Sequence, residues 1–358
     1  MLESASLKIK SYRREYTVDF CNLTADLLNS YDDSTFVIID FNIYKNYPLF
    51  EQCFDKSKMY VIEASERTKT LKTCEEIIRF LISNQFKINH KLLAVGGGIT
   101  QDVTAFVASV LYRGVEWQFL PTTLLAQADS CIGSKSSINF LSTKNALGTF
   151  YPPSRIYCCP EFLKTLDTDD IKSGIGEMLH YYLIENSEHI PGFVADYNNI
   201  LANPVDCLSN YVAESLRIKK NMIEKDEFDQ NERRVFNYGH TFGHAIEAIS
   251  NYEVSHGLAV TIGMDLANYV SLRKGFITKE QYEELHSVLK MNLINYRVPS
   301  ELQSKYYSLL RKDKKNIDNC VVCVLPYNIG DIRVTKITDH RELKNIIHEY
   351  MSGNLICL

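Results

Sequence analysis

Through the first half of the chain, short apolar runs alternate with stretches of helical periodicity. FVIID (36–40), MYVIEA (59–64), KLLAV (91–95) and EWQFLP (116–121) are too short for helices and are bounded by polar or turn-forming residues. Between them, CEEIIRFLISN and ITQDVTAFVASVLYRG repeat their apolar positions every three to four residues, and in the second Val103, Phe106, Val107, Val110 and Leu111 fall on one helical face. Strands separated by helices predict parallel pairing with crossover connections.

After about Ser173 the pattern changes to long amphipathic segments near 174–187, 205–224, 233–249, 257–273, 279–291 and 301–311. Two alternating runs, NCVVCVLP and DIRVTKI, flank YNIG as a hairpin would, and a last helix starts near Asp339. The expected fold is an α/β N-terminal nucleotide-binding domain over residues 1–172 followed by an essentially all-α C-terminal domain over 173–358. No repeat or long flexible linker interrupts it, and an active cleft is expected between the two.

Composition narrows the functional classes. The 358 residues suit about two domains. With 45% hydrophobic and 23% charged residues, the chain has the balance of a folded protein. A net charge of −5 gives no reason to expect nucleic acid as a partner. No apolar run reaches the roughly 18–20 residues of a membrane span, and the charged start MLESASLKIKSYRREY is unlike a secretory signal. The ten cysteines lack the spacing of a disulfide scaffold or zinc ribbon, so thiols in a cytoplasmic protein are expected.

Two regions carry candidate chemistry. Gly96, Gly97 and Gly98 join a buried strand to a helix, where backbone N–H groups and the helix N-terminus suit a pyrophosphate, although GGG lacks the GxGxxG spacing and also serves as a tight turn. Asp40, ending an earlier strand, is placed to meet a ribose or to cap a loop. Further on, Arg233, Asn237, His240 and His244 stand at i, i+4, i+7 and i+11, one face of a single helix. That face carries imidazoles, an amide and a guanidinium flanked by Gly239 and Gly243, and each helical glycine costs about 1 kcal/mol relative to alanine, which suggests close approach of another group to the backbone. Two histidines at i, i+4 can share a metal, with a third donor from Glu177, His180 or His256; spacing does not choose among the four histidines. Among the cations Arg113, Lys135, Lys144, Lys219, Arg233, Lys314 and Lys315, Lys135, Lys144 and Asn145 stand in small-residue segments expected to be loops that grip a phosphate.

Together these motifs resemble the 3-dehydroquinate synthases and the wider sugar-phosphate cyclase group. The carriers are GGGITQD, YRG, PTTLLAQADS, GSK, KNALGTFYPP, GEMLH, KDEFDQNERRVFNYGHTFGHAIE, SHGLAVTIGM and DKK, in order from about Phe36 to Gly330. The resemblance implies a dehydroquinate synthase-like fold, usually a homodimer, acting as a phosphate-eliminating lyase on a phosphorylated sugar. The implied sequence is transient oxidation, elimination, re-reduction and intramolecular aldol closure, with bound NAD and zinc, or cobalt in its place. It implies zinc on Glu177, His240 and His256. NAD would meet Asp40, Asn42, Glu66, Lys69, Gly97, Gly98, Asp102, Thr122, Thr123, Lys144 and Thr165. Substrate would meet Asp129, Lys135, Asn145, Lys219, Arg233, Asn237, His244 and Lys314 or Lys315, with Arg113 acting on the phosphate, in the partner subunit where the family is dimeric.

The departures from that pattern bear on the substrate. His180 replaces the usual Lys three residues after the zinc-binding Glu, Ser134 replaces Gly in GGK, and Leu258 replaces Glu in HGE. Gln101 replaces the Gly before Asp102, and Ser136 and Ser137 replace the usual TG. His180 would put a titratable group beside the substrate hydroxyls. Arg233 is the family's carboxylate-binding position, which favours 3-deoxy-arabino-heptulosonate 7-phosphate over a carboxylate-free sugar phosphate. The alternatives are a related cyclase on another sugar phosphate, a metal-dependent NAD polyol dehydrogenase, and a non-catalytic paralogue.

Overall fold

The computed structural model describes residues 6–353 apart from 142, 313–315 and 317–318. The chain divides into two compact units, Met1–Leu166 with Asn203–Phe228, and Asp167–Ala202 with Asp229–Leu358. The division is not the single break expected near residue 172. The segment expected as a helix over 205–224 joins the first unit, because Ser215 Oγ of the Ser209–Ile223 helix donates to the Ala128 carbonyl at 2.9 Å and Lys219 Nζ to the Asp129 carbonyl at 2.7 Å.

The first unit is built on strands β1 (Ser6–Ile9), β2 (Tyr16–Phe20), β3 (Thr35–Asp40), β4 (Met59–Ile62), β5 (Lys91–Gly96), β6 (Glu116–Pro121), β7 (Lys135–Phe140), β8 (Thr143–Phe150) and β9 (Arg155–Cys158). Seven of them form a sheet in the order β1-β2-β9-β6-β5-β3-β4, parallel except at β1/β2. Strand β3 is buried along its length, as a sheet covered on both faces requires. On one face Val37, Ile39, Leu93, Val95 and Leu120 pack with Leu28, Phe50, Phe54 and Phe162. The Gly98–Val110 helix buries Val103 and Val107 as expected, but Val110 is 45% exposed. Its inward face runs instead through Thr100, Thr104 and Ala108, small side chains that let the helix lie close to the sheet. In a parallel sheet the strands' carboxyl ends share one edge, which here presents Asp40, Gly96, Pro121 and Cys158 together with the segments that follow them.

β7 and β8 pair as an antiparallel hairpin, not as the loops expected around Lys135 and Lys144. Their alternation is written in small and polar residues, so it carries almost no hydrophobic signal. Lys135 opens β7, while Lys144 and Asn145 lie in β8.

The second unit surrounds the His256–Arg273 helix, which is buried without interruption from Gly257 to Ser271. Against it lie the helices Thr168–Glu185, His240–Ile249 and Lys279–Lys290, the hairpin β10 (Val321–Asn328) and β11 (Asp331–Ile337), and the closing helix His340–Ser352. Local chemistry sets several of the starts. Asp167 Oδ1 accepts from Asp170 N at 2.8 Å, Thr278 and Gln281 form a reciprocal capping box, and Asp339 accepts from Glu342 N. The helix expected over 233–249 is two pieces: a 3₁₀ turn Glu232–Asn237, then His240–Ile249 after Gly239 at φ +79°.

Glycines fix how closely these helices cross. A Cβ on Gly257 would lie inside contact distance of the Ser173 carbonyl, one on Gly176 would strike the Gly257 carbonyl, and one on Gly263 the Gly239 carbonyl. The close approach anticipated at Gly239 and Gly243 is therefore made by a neighbouring helix. Among the described residues no helix is long and apolar enough to cross a membrane. Gly257→Ala is expected to cost about 3 kcal/mol, the upper range for overpacking against rigid backbone. Gly98→Ala, whose Cβ would meet only Ser130 Oγ at 3.6 Å, should stay within about 0.5 kcal/mol. Urea denaturation of the two variants checks the contrast.

Candidate functional site

In the second unit, the glycine-mediated crossings bring three distant side chains together. Glu177 follows Gly176, His240 follows Gly239, and His256 precedes Gly257, so each sits where its helix runs closest to a neighbour. Their donor atoms lie within 4.8 Å of one another. Glu177 Oε1 is 3.2 Å from His256 Nε2 and 3.6 Å from His240 Nε2. Ligands of a tetrahedral zinc or cobalt ion stand about 3.3 Å apart, so the spacing is that of atoms facing a common cation.

The surroundings fix the imidazoles in the orientation a metal requires. His240 Nδ1 is 3.1 Å from the Tyr238 carbonyl, and the Tyr238 hydroxyl donates to Asn268. His256 Nδ1 is 3.1 Å from Glu247 Oε2. Both partners accept, so each Nδ1 carries a proton and each Nε2 is left facing Glu177, the nitrogen a metal would take once it is deprotonated. Glu177 Oε1 is buried and faces the two imidazole Nε2 atoms. Burial opposes charge on His256, but the Glu247 and Glu177 carboxylates outweigh it and hold its pKa up to about 10 in the metal-free protein. Two buried carboxylates thus demand a positive charge at this point, and the donor set fits a divalent ion.

His244 is exposed, with its ring centroid 5.4 Å from that of His240 and 5.6 Å from that of His256. With Glu247 and His256 it makes a second potential donor group, but that group reuses His256 and requires the carboxylate that orients it. His180 is 1% exposed. Its ring packs against Tyr181, Phe236 and Tyr238, 5.0 Å from the His240 ring, and its Nδ1 is 3.8 Å from Glu177 Oε2. Arg233 is buried in the 3₁₀ turn and Asn237 ends it, its Nδ2 donating to the Arg234 carbonyl at 2.9 Å. The break at Gly239 means that these two and the histidines do not form the single helical face that their spacing suggested.

The first unit gathers most of the other candidates. Gly97 caps the Gly98–Val110 helix, and Thr122 N donates to the Gly96 carbonyl at 2.9 Å, tying the glycine turn to the end of β6. Thr123 Oγ1 accepts from Ala126 N. Asp40 Oδ1 accepts from Asn42 N at 2.8 Å, and burial raises its pKa against that bond. Thr165 Oγ1 pairs with the Tyr47 hydroxyl at 3.2 Å.

Behind the glycine turn, Lys69 pairs with Asp102 at 2.5 Å and donates to Asn145 Oδ1 at 2.9 Å. Ser137 donates to Asp102 through its backbone N–H and hydroxyl. Asn139 donates to Glu66 and accepts from Asn145 N, and Lys144 lies 3.5 Å from Glu66. Burial pushes the Asp102 carboxyl up, and Lys69 and Ser137 pull against it.

Asp129 lies in a short π-helical stretch, with Lys219 Nζ 2.7 Å from both its carbonyl and its Oδ1. Gln101 and Ser130 exchange hydrogen bonds at 2.6 and 2.7 Å, anchoring this stretch to the helix after the glycine turn. Ser134, at φ +59°, donates to Glu227 Oε1 at 2.6 Å; Ser11 and the Tyr12 N–H bond the same carboxylate. Arg113 is exposed in a left-handed turn at φ +68°. Lys314 and Lys315 lie outside the described residues.

Glu247, Asn139 and Glu227 were not among the candidates. Glu247 stands at i+7 from His240 and i+3 from His244, so extending the helical period by one turn would have found it. Asn139 and Glu227 act through strand and turn pairings that leave no periodic trace.

Residues 59–173 match a family model described as 3-dehydroquinate synthase N-terminal, and residues 174–316 one described as 3-dehydroquinate synthase C-terminal. A 3-dehydroquinate synthase from Dictyoglomus thermophilum is 33% identical over 356 residues, 99% of each chain. Among solved structures, a 2-deoxy-scyllo-inosose synthase complexed with carbaglucose-6-phosphate, NAD+ and Co2+ aligns with a TM-score of 0.86 at 22% identity, over 96% of this chain and 100% of that one. A 2-epi-5-epi-valiolone synthase from Streptomyces hygroscopicus, with NAD+ and Zn2+ bound, gives 0.83 at 22% identity, over 97% and 98%. At those identities the structural likeness is one of fold.

Lys69→Met should cost about 3 kcal/mol, the low end for a broken buried pair, by leaving the Asp102 carboxylate without its cation, and Lys69→Met with Asp102→Asn should cost less than the two single changes summed. Urea unfolding of the three variants measures the coupling.

Proposed function

Because the chain belongs to the 3-dehydroquinate synthase family, enzymes of the sugar-phosphate cyclase type, we propose that its substrate is 3-deoxy-arabino-heptulosonate 7-phosphate and its resident ion zinc, held by Glu177, His240 and His256. The observation that carries the reading is the buried Glu177 Oε1 facing two imidazole Nε2 atoms whose other nitrogens are already committed. One carboxylate and two imidazoles leave coordination positions for substrate oxygens and suit Zn2+ and Co2+ alike. The chemistry supplied from that set and from the glycine turn is polarisation of a substrate hydroxyl by the ion and reversible hydride acceptance by NAD.

The chain's own groups divide the remaining work. The Arg233 guanidinium binds the substrate carboxylate, for which its planar fork is suited. Asn237 orients neighbouring hydroxyls. Lys135 and Asn145 hold the phosphate end, and their positive charge and amide dipole steady the phosphate as it leaves, while the phosphate's own oxygen serves as base. Lys219 fixes the Asp129 side chain by donating to both its carbonyl and its Oδ1, and the pair is assigned to the substrate hydroxyls. His244, exposed next to the metal set, moves a proton at its imidazole nitrogen.

The Lys69, Asp102, Glu66, Lys144 and Asn145 network shapes the dinucleotide side, with Asp40, Asn42, Gly97, Gly98, Thr122, Thr123 and Thr165 lining it. The burial of His180 in an aromatic box beside Glu177 supports a positioning role at the metal set, compatible with the carboxylated substrate that Arg233 favours. We assign Arg113 to the phosphate held by a second copy in a cytoplasmic homodimer, a role supported by its exposure.

Metal binding must displace the proton that Glu247 and Glu177 hold on His256. One proton should therefore be released per ion at pH 7.5, and apparent affinity should rise about tenfold per pH unit below the His256 pKa. Glu247→Gln is expected to weaken binding by about 10–100-fold, His240→Ala to abolish retention, and His244→Ala to leave the metal in place while removing turnover. Calorimetry in two buffers and metal analysis after dialysis check this, and metal loss in both histidine variants would refute the ligand assignment.

With catalytic NAD, the metal-replete protein should release many phosphates per dinucleotide from 3-deoxy-arabino-heptulosonate 7-phosphate with no accumulation of NADH, and Arg233→Met should lose about tenfold to a hundredfold in kcat/KM. NADH accumulation without phosphate would instead support a polyol dehydrogenase.

A further inference from the structure

At the carboxyl edge of the sheet, two thiols that the proposed reaction does not use face each other. The β2/β9 ladder pairs Phe20 with Cys158, and Cys21 N donates to the Cys158 carbonyl at 3.1 Å, carrying the pairing one residue beyond the named strands. Cys21 and Cys159 are therefore cross-strand neighbours with side chains on the same face. Their sulfurs are 3.7 Å apart. Adjacent strands about 4.8 Å apart hold their Cα atoms inside the roughly 4.4–6.8 Å window that a disulfide spans.

The pair is asymmetric. Cys21 is partly exposed, whereas Cys159 is fully buried. The hydrogen bond from Cys159 favours the thiolate at Cys21 and lowers its pKa, and the same bond together with burial keeps Cys159 protonated. Cys131 and Cys158 make a second thiol contact nearby, but both are buried and offer no sulfur to a solute.

The position connects this pair to the dinucleotide side. The Cys159 carbonyl accepts from Gln127 Nε2 at 2.9 Å, and the same amide donates to the Pro121 carbonyl at 3.0 Å. Pro121 precedes Thr122 and Thr123. On the other side, Cys159 leads directly into the 3₁₀ turn Pro160–Thr165, which ends at Thr165. Closing the sulfurs from 3.7 Å to a bond of about 2.05 Å would draw on the backbone from which both threonine segments are hung.

We propose that Cys21 and Cys159 form a reversible oxidation site, converted by hydroperoxides to an intramolecular disulfide that weakens NAD binding. The Cys21 thiolate attacks the peroxide oxygen, the O–O bond breaks, and the leaving alkoxide or hydroxide takes a proton to give ROH or water. The Cys21 sulfenic acid is then attacked by the Cys159 sulfur, the S–S bond forms, and the hydroxyl leaves with the Cys159 proton as water. Two thiols are oxidised and one peroxide reduced. The disulfide stands on the thiol geometry alone; its effect on NAD rests on the dinucleotide reading given above.

The test treats the full-length, reduced protein with hydrogen peroxide, then reads intact mass, peptide linkage and NAD affinity. Wild type should lose about 2 Da, the two thiol hydrogens, and yield a Cys21–Cys159 linked peptide. Its Kd for NAD should rise at least about tenfold, the order expected for an ångström-scale misplacement of binding groups, and dithiothreitol should restore it. Cys21→Ser and Cys159→Ala should each keep the reduced-state affinity after peroxide. Absence of the linked peptide, or oxygen addition at Cys21 without linkage, overturns the proposal. Linkage with unchanged NAD affinity overturns the regulatory part. Failure of the reduced wild type to bind NAD would refute the dinucleotide reading, and the mass measurement would still decide the disulfide.

Discussion

Backbone-to-backbone contact between helices, permitted only by missing Cβ atoms, is the constraint on which the proposed metal set depends. At Gly176 and Gly257 two helices touch through a carbonyl, and at Gly239 and Gly263 a third joins them. Ordinary helix pairs stand about 8–10 Å apart because side chains intervene. At that spacing Glu177, His240 and His256 would not meet. Hydrogen bonds brace the crossings: Gly257 N donates to Ser173 Oγ, Thr261 Oγ1 to the Gly257 carbonyl, and Asn292 joins Thr261, Tyr197 and the Lys172 carbonyl. A site that must hold a charge is thus set in a frame that cannot relax cheaply.

Electrostatics completes what packing begins. Glu177 and Glu247 place two carboxylates beside two imidazoles whose Nδ1 atoms are directed outward, and their combined field favours positive charge at the centre. The first unit solves a different problem in the same way. Lys69, Asp102, Ser137, Asn139 and Asn145 are locked to one another behind the glycine turn, and Gln101 ties that turn's helix to the stretch carrying Asp129. Several of the departures from the family's usual motifs make these bonds. Ser137 holds Asp102, Gln101 holds Ser130, and Ser134 accepts a left-handed backbone in exchange for its bond to Glu227.

What the sequence made legible follows from where the signal lies. Buried parallel strands such as β3 and β5 are continuous apolar runs, and the long second-unit helices repeat every 3.6 residues, so both were visible. The edge strand β1, its neighbour β2, the short β9 and the β7/β8 hairpin are written in mixed or small residues and were not. The break at Gly239 was hidden because His240 and His244 keep helical spacing after it, although Arg233 and Asn237 belong to a different turn. Gly239 and Gly243 stand out in the sequence as sites of close approach, whereas Gly176, Gly257 and Gly263 do not, and a sequence does not say whether the visitor is a ligand or a helix. Choosing Glu177 and His256 over His180 rests on the resemblance to a family. In the fold these two converge with His240, and Glu247 adds an orienting carboxylate that the motif alone does not suggest.

The most direct measurement is anomalous diffraction from crystals grown with cobalt or zinc, recorded on both sides of the metal edge. One strong peak is expected about 2.0–2.2 Å from a Glu177 carboxylate oxygen, His240 Nε2 and His256 Nε2, with His180 and Glu247 outside bonding distance. A peak bonded instead to His244, Glu247 and His256, or no peak at the crossing of the three helices, would contradict it.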